Sequence, residues 1–374
     1  MNDTHRTAKV SKKLALLAVI LVALLIVQAC GGGSGNGNSN GNSGGSNSGN
    51  TSGSSGSSGS GGQSGGQGGS DGGSTPSQPA AIAPPVLSFG YVGGATALPL
   101  AAEGWGFHTG IIQEHLKQYG ITEINITGFL TGPDLNESLI SGRLDVGSSG
   151  DAPAINARAA GAKTRLITQT TYKGRSILIA PKDGAQSLEQ LAGKKIAVVK
   201  GSSMHRYLLT ILKESGVDAE VLNINSTGDS LAALKRGEVD AVATVPYLLV
   251  VYQILQDDYQ IINDSVENPD LASTSSIVVT EDYLKKFPDF PKVWNEAREL
   301  AVRDLKSQPD EYFAWLAELT GAPIEAVPVL YPIENVSDIG LTDEGIRLAE
   351  IAKNFLVSEG VAGGDFSVQD WLAR

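Results

Sequence analysis

From Val86 to Thr280 the spacing of apolar residues switches repeatedly between two periods. Short runs such as VLSFGYV (86–92) and EINITGF (123–129) carry the apolar, β-branched pattern of strands. The stretches between them repeat every three or four residues, as helices do. This predicts strand 86–92, helices 97–107 and 110–120, strand 123–129, helix 133–142, strand 144–149 and helix 152–162. Extended segments follow at 164–172 and 176–180. A second set begins with the capping-box pattern Ser187-Leu188-Glu189-Gln190, which predicts a short helix. Strand 194–201, helix 203–216, strand 220–225, helix 229–237 and strand 239–245 come next. One more strand is expected at 275–280, and the chain beyond it is mostly helical.

Strands alternating with helices imply an α/β protein with parallel sheets. One phrase occurs twice. Helix–SGRLDVGSS and helix–KRGEVDAVAT both place a glycine stop, an apolar residue, an aspartate and then a strand in the same order. Gly142 and Gly237 are the expected left-handed helix ends. Repetition about 95 residues apart suggests two lobes built alike, each on its own sheet.

The N-terminal quarter obeys other rules. Arg6, Lys9, Lys12 and Lys13 precede an apolar run from Leu14 to Val27, then Gln28-Ala29-Cys30. That order is a secretory leader, and the run is shorter than the ~18–20 residues that spanning a bilayer needs. VQAC resembles the lipobox of bacterial lipoproteins, which implies cleavage after residue 29, a lipid on Cys30 and attachment to a membrane. Residues 30–85 hold the cysteine and a tract of Gly, Ser and Asn that cannot bury enough surface to fold, so a disordered tether is expected. At ~5–6 Å × √n, its roughly 50 residues span about 40 Å.

Cys30 is the only cysteine, which excludes disulfides within the chain and any cysteine-built metal cluster. The net charge is −12; residues 1–29 contribute +3, so the remainder carries −15. Nucleic acid is therefore not an expected partner, because its binding rests on clustered Lys and Arg. A small anion is not excluded, since helix N-termini bind anions through backbone amides.

In open α/β sheets the ligand lies beyond the carboxyl ends of the strands. The segments there are VGGAT (92–96), FLTGP (129–133), SSGDAP (148–153), KGSSMH (200–205) and VPY (245–247). The candidate contacts are Thr96, Thr131, Gly132, Ser149, Gly150, Asp151, Gly201, Ser202, Ser203, His205, Pro246 and Tyr247. Small residues ahead of helix starts leave amides free for an anionic or polar solute. Neither Ser149 nor Ser203 stands in a G-x-S-x-G pattern, and no phosphate-loop motif occurs, so a hydrolase using either serine is only an alternative. Trp294, Trp315 and Trp371 are expected in the core.

GFLTGPDLNESLISGRLDVGSSGDAPAINARAAGA, LAGKKIAVVKGSSMHRYLLTILKESGV and AALKRGEVDAVATVPYL resemble the solute-binding proteins of ABC importers for aliphatic sulfonates, taurine and nitrate. The resemblance implies a two-lobed periplasmic-binding-protein fold with two crossing strands, near Ser176–Ala180 and Ser275–Thr280. One lobe would comprise 86–178 with 274–374, the other 179–273. It further implies a monomer without cofactor that closes on its solute and delivers it to permease subunits. Its loops at Thr131–Pro133, Ser149–Asp151 and Gly201–His205 would line the cleft. Sulfonate binders often carry a Gln and a Ser after the first strand, where this chain has Val92 and Ala95. They also tend to carry a Trp-Asp-Pro loop, where it has Thr244-Val245-Pro246-Tyr247. Nitrate, bicarbonate and thiamine-pyrimidine precursors stay open as alternative solutes, and a sensor role stays open beside import.

Overall fold

The structure is a computed structural model that describes residues 83–93, 96–171 and 173–374. The expected leader, Cys30 and the Gly/Ser/Asn-rich tract lie outside these residues. All described residues belong to one contact unit.

The first lobe opens with β1 (Val86–Val92), α1 (Ala101–His108), α2 (Ile111–Lys117) and β2 (Glu123–Phe129). It continues through α3 (Gly132–Ile140), β3 (Val146–Gly150), α4 (Asp151–Ala159) and β4 (Thr164–Thr168). The chain then crosses and builds β5 (Ile177–Pro181), β6 (Lys195–Val198), α5 (Ser203–Ser215), β7 (Glu220–Asn223) and α6 (Thr227–Lys235). The second lobe is completed by β8 (Ala241–Thr244), α7 (Leu249–Gln256) and β9 (Tyr259–Asp264). After crossing back, β10 (Ser275–Thr280) is followed by α8 (Glu281–Lys286), α9 (Phe290–Ser307) and α10 (Pro309–Thr320). The remaining helices are α11 (Val327–Leu330), α12 (Asp343–Ser358) and α13 (Val368–Trp371).

The sheets have one plan. The first runs β2-β1-β3-β10-β4 and the second β7-β6-β8-β5-β9. In each, three parallel strands meet an antiparallel strand that arrives from the other lobe: β10 in the first, β5 in the second. The crossing strands fall where the resemblance implied. The expected boundary at residue 178 lies inside β5, which enters the second sheet at Ile177.

Alternating side chains on these strands feed two apolar layers per sheet. Ile177 and Ile179 join Leu231, Leu234, Val242 and Val251 on one face, while Leu178 and Ala180 join Tyr207, Leu208 and Ile211 on the other. In the first lobe Leu87 and Phe89 pack with α2 and α9, and Leu166 and Val278 with α4 and α12. Trp294 and Trp371 are fully buried, and Trp294 stacks on Phe89 at 5.3 Å.

The repeated phrase has one structural meaning. Thr131 and Ser226 cap α3 and α6 by accepting from the amides of Asp134 and Asp229. Gly142 and Gly237 follow those helices with φ of 73° and 69°. Asp145 and Asp240 then accept from the Ser88 and Lys195 amides at 2.8 and 2.9 Å, tying the starts of β3 and β8 to their parallel neighbours β1 and β6.

Three local expectations change. Residues 97–100 do not join α1, which starts at Ala101, a non-glycine residue at φ 62°. The Ser187–Gln190 pattern forms only a three-residue 3₁₀ turn, Glu189–Leu191, and the chain turns left-handed at Gly193, φ 70°, two residues on. α7 and β9 fall in a region for which the pattern predicted no element.

Candidate functional site

The carboxyl ends of the parallel strands in both lobes point toward one seam. On the first lobe, α3 starts after β2 and α4 after β3; on the second, α5 starts after β6. Gly132 lets these helices crowd, since a Cβ there would lie 2.5 Å from Pro153 Cγ. Asn136 Nδ2 donates to the Pro153 carbonyl at 2.8 Å and fixes the same contact.

Two approaches across the seam are visible at glycines. A Cβ on Gly150 would stand 2.7 Å from Ser203 Oγ, so the β3–α4 junction and the α5 start meet there. Gly201, at φ 78°, turns the β6–α5 loop so that a Cβ would face Pro133 Cγ at 4.0 Å. Tyr247 supplies a third. It is 40% exposed, yet its hydroxyl is pushed up to about 12, first by burial and then by Tyr331 and Asp151 of the other lobe.

Within the α5 start, Ser202 Oγ donates to the Val199 carbonyl at 2.6 Å and accepts from the His205 amide at 3.2 Å. His205 Nδ1 accepts from the Gly201 amide at 3.4 Å, which leaves Nε2 to carry the proton. His205 is buried, and burial followed by nearby Lys200 lowers its pKa from 6.5, so the neutral ring is favoured. Pro133 has no N–H, and the Asp134 and His205 amides are taken by Thr131 and Ser202, so the first-turn donors left to this seam are the amides of Gly132, Ser203 and Met204.

Other sequence candidates are engaged within the protein. Thr96 Oγ1 donates to the Leu98 and Gly93 carbonyls, Ser149 Oγ donates to the Gly150 carbonyl at 3.2 Å, and Pro246 is half-buried beside Tyr247. Asp151 faces protein on all sides, and Ser203 Oγ donates to it. Neither Ser149 nor Ser203 hydrogen-bonds a histidine, so the hydrolase alternative has no base in place. Sequence reading missed Arg206, Thr274 and Tyr331, whose roles arise from neighbours in the other lobe or in the crossing segment. Among the described residues no group of three or more His, Cys, Asp or Glu is placed to hold a metal ion. None of these described helices is long and apolar enough to cross a membrane.

Two like sheets that exchange a strand and meet through strand-end loops define a two-lobed periplasmic-binding-protein fold. The chain belongs to the NMT1/THI5-like family, whose profile matches residues 106–312. It is 30% identical over 260 residues to the "Putative aliphatic sulfonates-binding protein" of Escherichia coli (strain K12), covering 66% of this chain and 76% of that one. The "Taurine-binding periplasmic protein" of the same organism is 27% identical over 226 residues, 57% of this chain and 69% of that one. Among solved structures, the alkanesulfonate-binding protein SsuA from Xanthomonas axonopodis pv. citri, bound to MOPS, aligns with a TM-score of 0.65. It is 22% identical and covers 78% of this chain and 99% of that one.

Proposed function

We propose that this protein is the extracytoplasmic solute-binding component of an ABC importer, taking a small aliphatic sulfonate of the taurine type between its lobes. The observation that carries this reading is the meeting of strand-end loops from both lobes, Gly150 against Ser203 and Pro133 opposite Gly201. The relationship to a sulfonate binder at 30% identity supports the solute class. The sulfonate oxygens would accept from the amides of Gly132, Ser203 and Met204 at the starts of α3 and α5, from His205 Nε2–H and from the Tyr247 hydroxyl. Thr131, Gly132, Gly150, Gly201 and Ser202 would shape those donors, while Asp151 and Ser203 position them from behind. Each bond to a charged acceptor contributes about 1.5–3 kcal/mol. Closure follows when solute contacts to both lobes favour the closed state.

In this reading a lipid on Cys30 and the tract after it hold a monomer near its permease, and no cofactor takes part. The test is a thermal-shift and calorimetric panel of taurine, ethanesulfonate, nitrate, bicarbonate and an aminopyrimidine. A solute at 100 times its Kd stabilises the folded state by about 2.7 kcal/mol. A shift with the sulfonates alone supports the proposal. A shift with nitrate or bicarbonate alone would reassign the solute, a reading that Val92, Ala95 and Thr244–Tyr247 favour by departing from the sulfonate pattern.

A further inference from the structure

Asp151 has no exposed surface, and its carboxylate accepts four hydrogen bonds from three parts of the molecule. Oδ1 accepts from the Ala152 amide at 2.7 Å, at the start of its own helix, and from Ser203 Oγ at 2.5 Å, on the second lobe. Oδ2 accepts from the Thr274 amide at 3.1 Å, in the segment crossing back, and from Arg206 Nη2 at 3.5 Å, on α5. The Asp151 amide in turn donates to the Thr274 carbonyl at 2.9 Å. Arg206 is equally buried, and its Nη2 also donates to the carbonyls of Leu271 and Ala272 at 3.3 and 3.0 Å.

We propose that the Asp151 carboxylate is a built-in anion. It fills a site made by donors from the first lobe, the second lobe and the crossing segment, and so sets the angle between the lobes before any solute arrives. A carboxylate has about four lone-pair directions, and all four are taken here. Asp151 therefore has no acceptor to offer a solute. Its charge instead occupies the start of α4, where a free anion would otherwise be favoured. Gly150 is part of the device, because any side chain there would displace Ser203 from the carboxylate. This inference concerns the protein without solute, so it stands or falls separately from the sulfonate assignment.

The test is removal and replacement of the anion in the full-length chain. Asp151→Ala leaves four donors around a hole that a formate ion fits. Hydrogen exchange is followed in segments 150–154, 203–207 and 271–276, with sodium formate and with sodium chloride at equal ionic strength. Exchange should rise about tenfold in all three segments together, the size expected for a lost bond to a charged group, and formate alone should reverse it. A rise confined to 150–154, or equal effects of formate and chloride, would overturn the proposal. Should Asp151→Ala fail to fold, Ser203→Ala decides the matter, because it removes a single bond across the seam and leaves the ion pair. Faster exchange at 150–154 and 271–276 in that variant supports the device; unchanged exchange in both refutes it.

Discussion

Gly174 and Ser273 exchange both of their backbone hydrogen bonds, at 2.8 and 2.9 Å, and so pair the two connections that run between the sheets. A Cβ on Gly174 would lie 2.8 Å from the Ser273 carbonyl oxygen, closer than packed atoms tolerate. Arg175 reinforces the pairing by gripping Asp264 with two nitrogens. Gly174→Ala should therefore lower stability by about 1–3 kcal/mol, the usual cost of forcing atoms into a filled site. Urea unfolding reads this as a lower midpoint at unchanged slope; an unaltered midpoint would mean the connections part without cost.

His205 makes stability depend on pH. Burial and Lys200 lower its folded pKa below 6.5, so the unfolded chain takes up the proton first as pH falls. The contribution of this residue is complete above 6.5, is lost progressively below it, and levels off under the lowered folded value. His205→Gln should flatten the part of the stability curve that begins near 6.5 and leave the higher-pH plateau in place. Denaturant titrations of both proteins from pH 8 to pH 5 check this; parallel curves would show that the ring is not held neutral.

Sequence pattern found what local rules control. The left-handed glycines at 142 and 237 and the aspartates three residues later show through because a helix end and a strand start are short-range events. β9 left no pattern because it is the outer strand of its sheet and only partly buried along its length. α7 was hidden for the opposite reason. Val251 and Ile254 pack into the second lobe while Leu249 and Tyr252 pack against an apolar cluster of the first, so its contacts are apolar on two sides. For the candidate site, sequence reading named the strand-end loops but not the pairing inside them. Arg206 lies 55 residues from Asp151, and Thr274 lies 123 away, so only the folded crossing brings them together.

Tyr247 offers a direct check of the proposed solute contact. With its hydroxyl pushed up to about 12, it remains a hydrogen-bond donor throughout the physiological range. Tyr247→Phe keeps the ring and removes only the hydroxyl. Losing one bond to a charged acceptor costs about 1.5–3 kcal/mol, so sulfonate affinity should fall about tenfold to a hundredfold. Calorimetry on the two proteins measures it, and equal affinities would place the solute away from this side chain.

The most consequential buried pair of the first lobe lies away from the seam. Arg298 Nε donates to Glu103 Oε1 at 2.7 Å, both residues are almost wholly buried, and the contact joins α9 to α1. Burial and then the Glu103 charge raise the pKa of the Tyr312 hydroxyl nearby. Arg298 Nη2 has no partner, so the guanidinium is only partly satisfied and leans on this one carboxylate. Breaking a buried pair from one side costs about 3–5 kcal/mol, because the remaining charge stays out of water without compensation. Glu103→Gln should lose stability in that range. Combining it with Arg298→Met removes the stranded charge and puts an apolar chain in its place, so the double variant should recover a large part of the loss. A double-mutant cycle by chemical denaturation reads the difference. Additive losses would mean that the two charges do not depend on each other, and that packing alone holds α1 to α9.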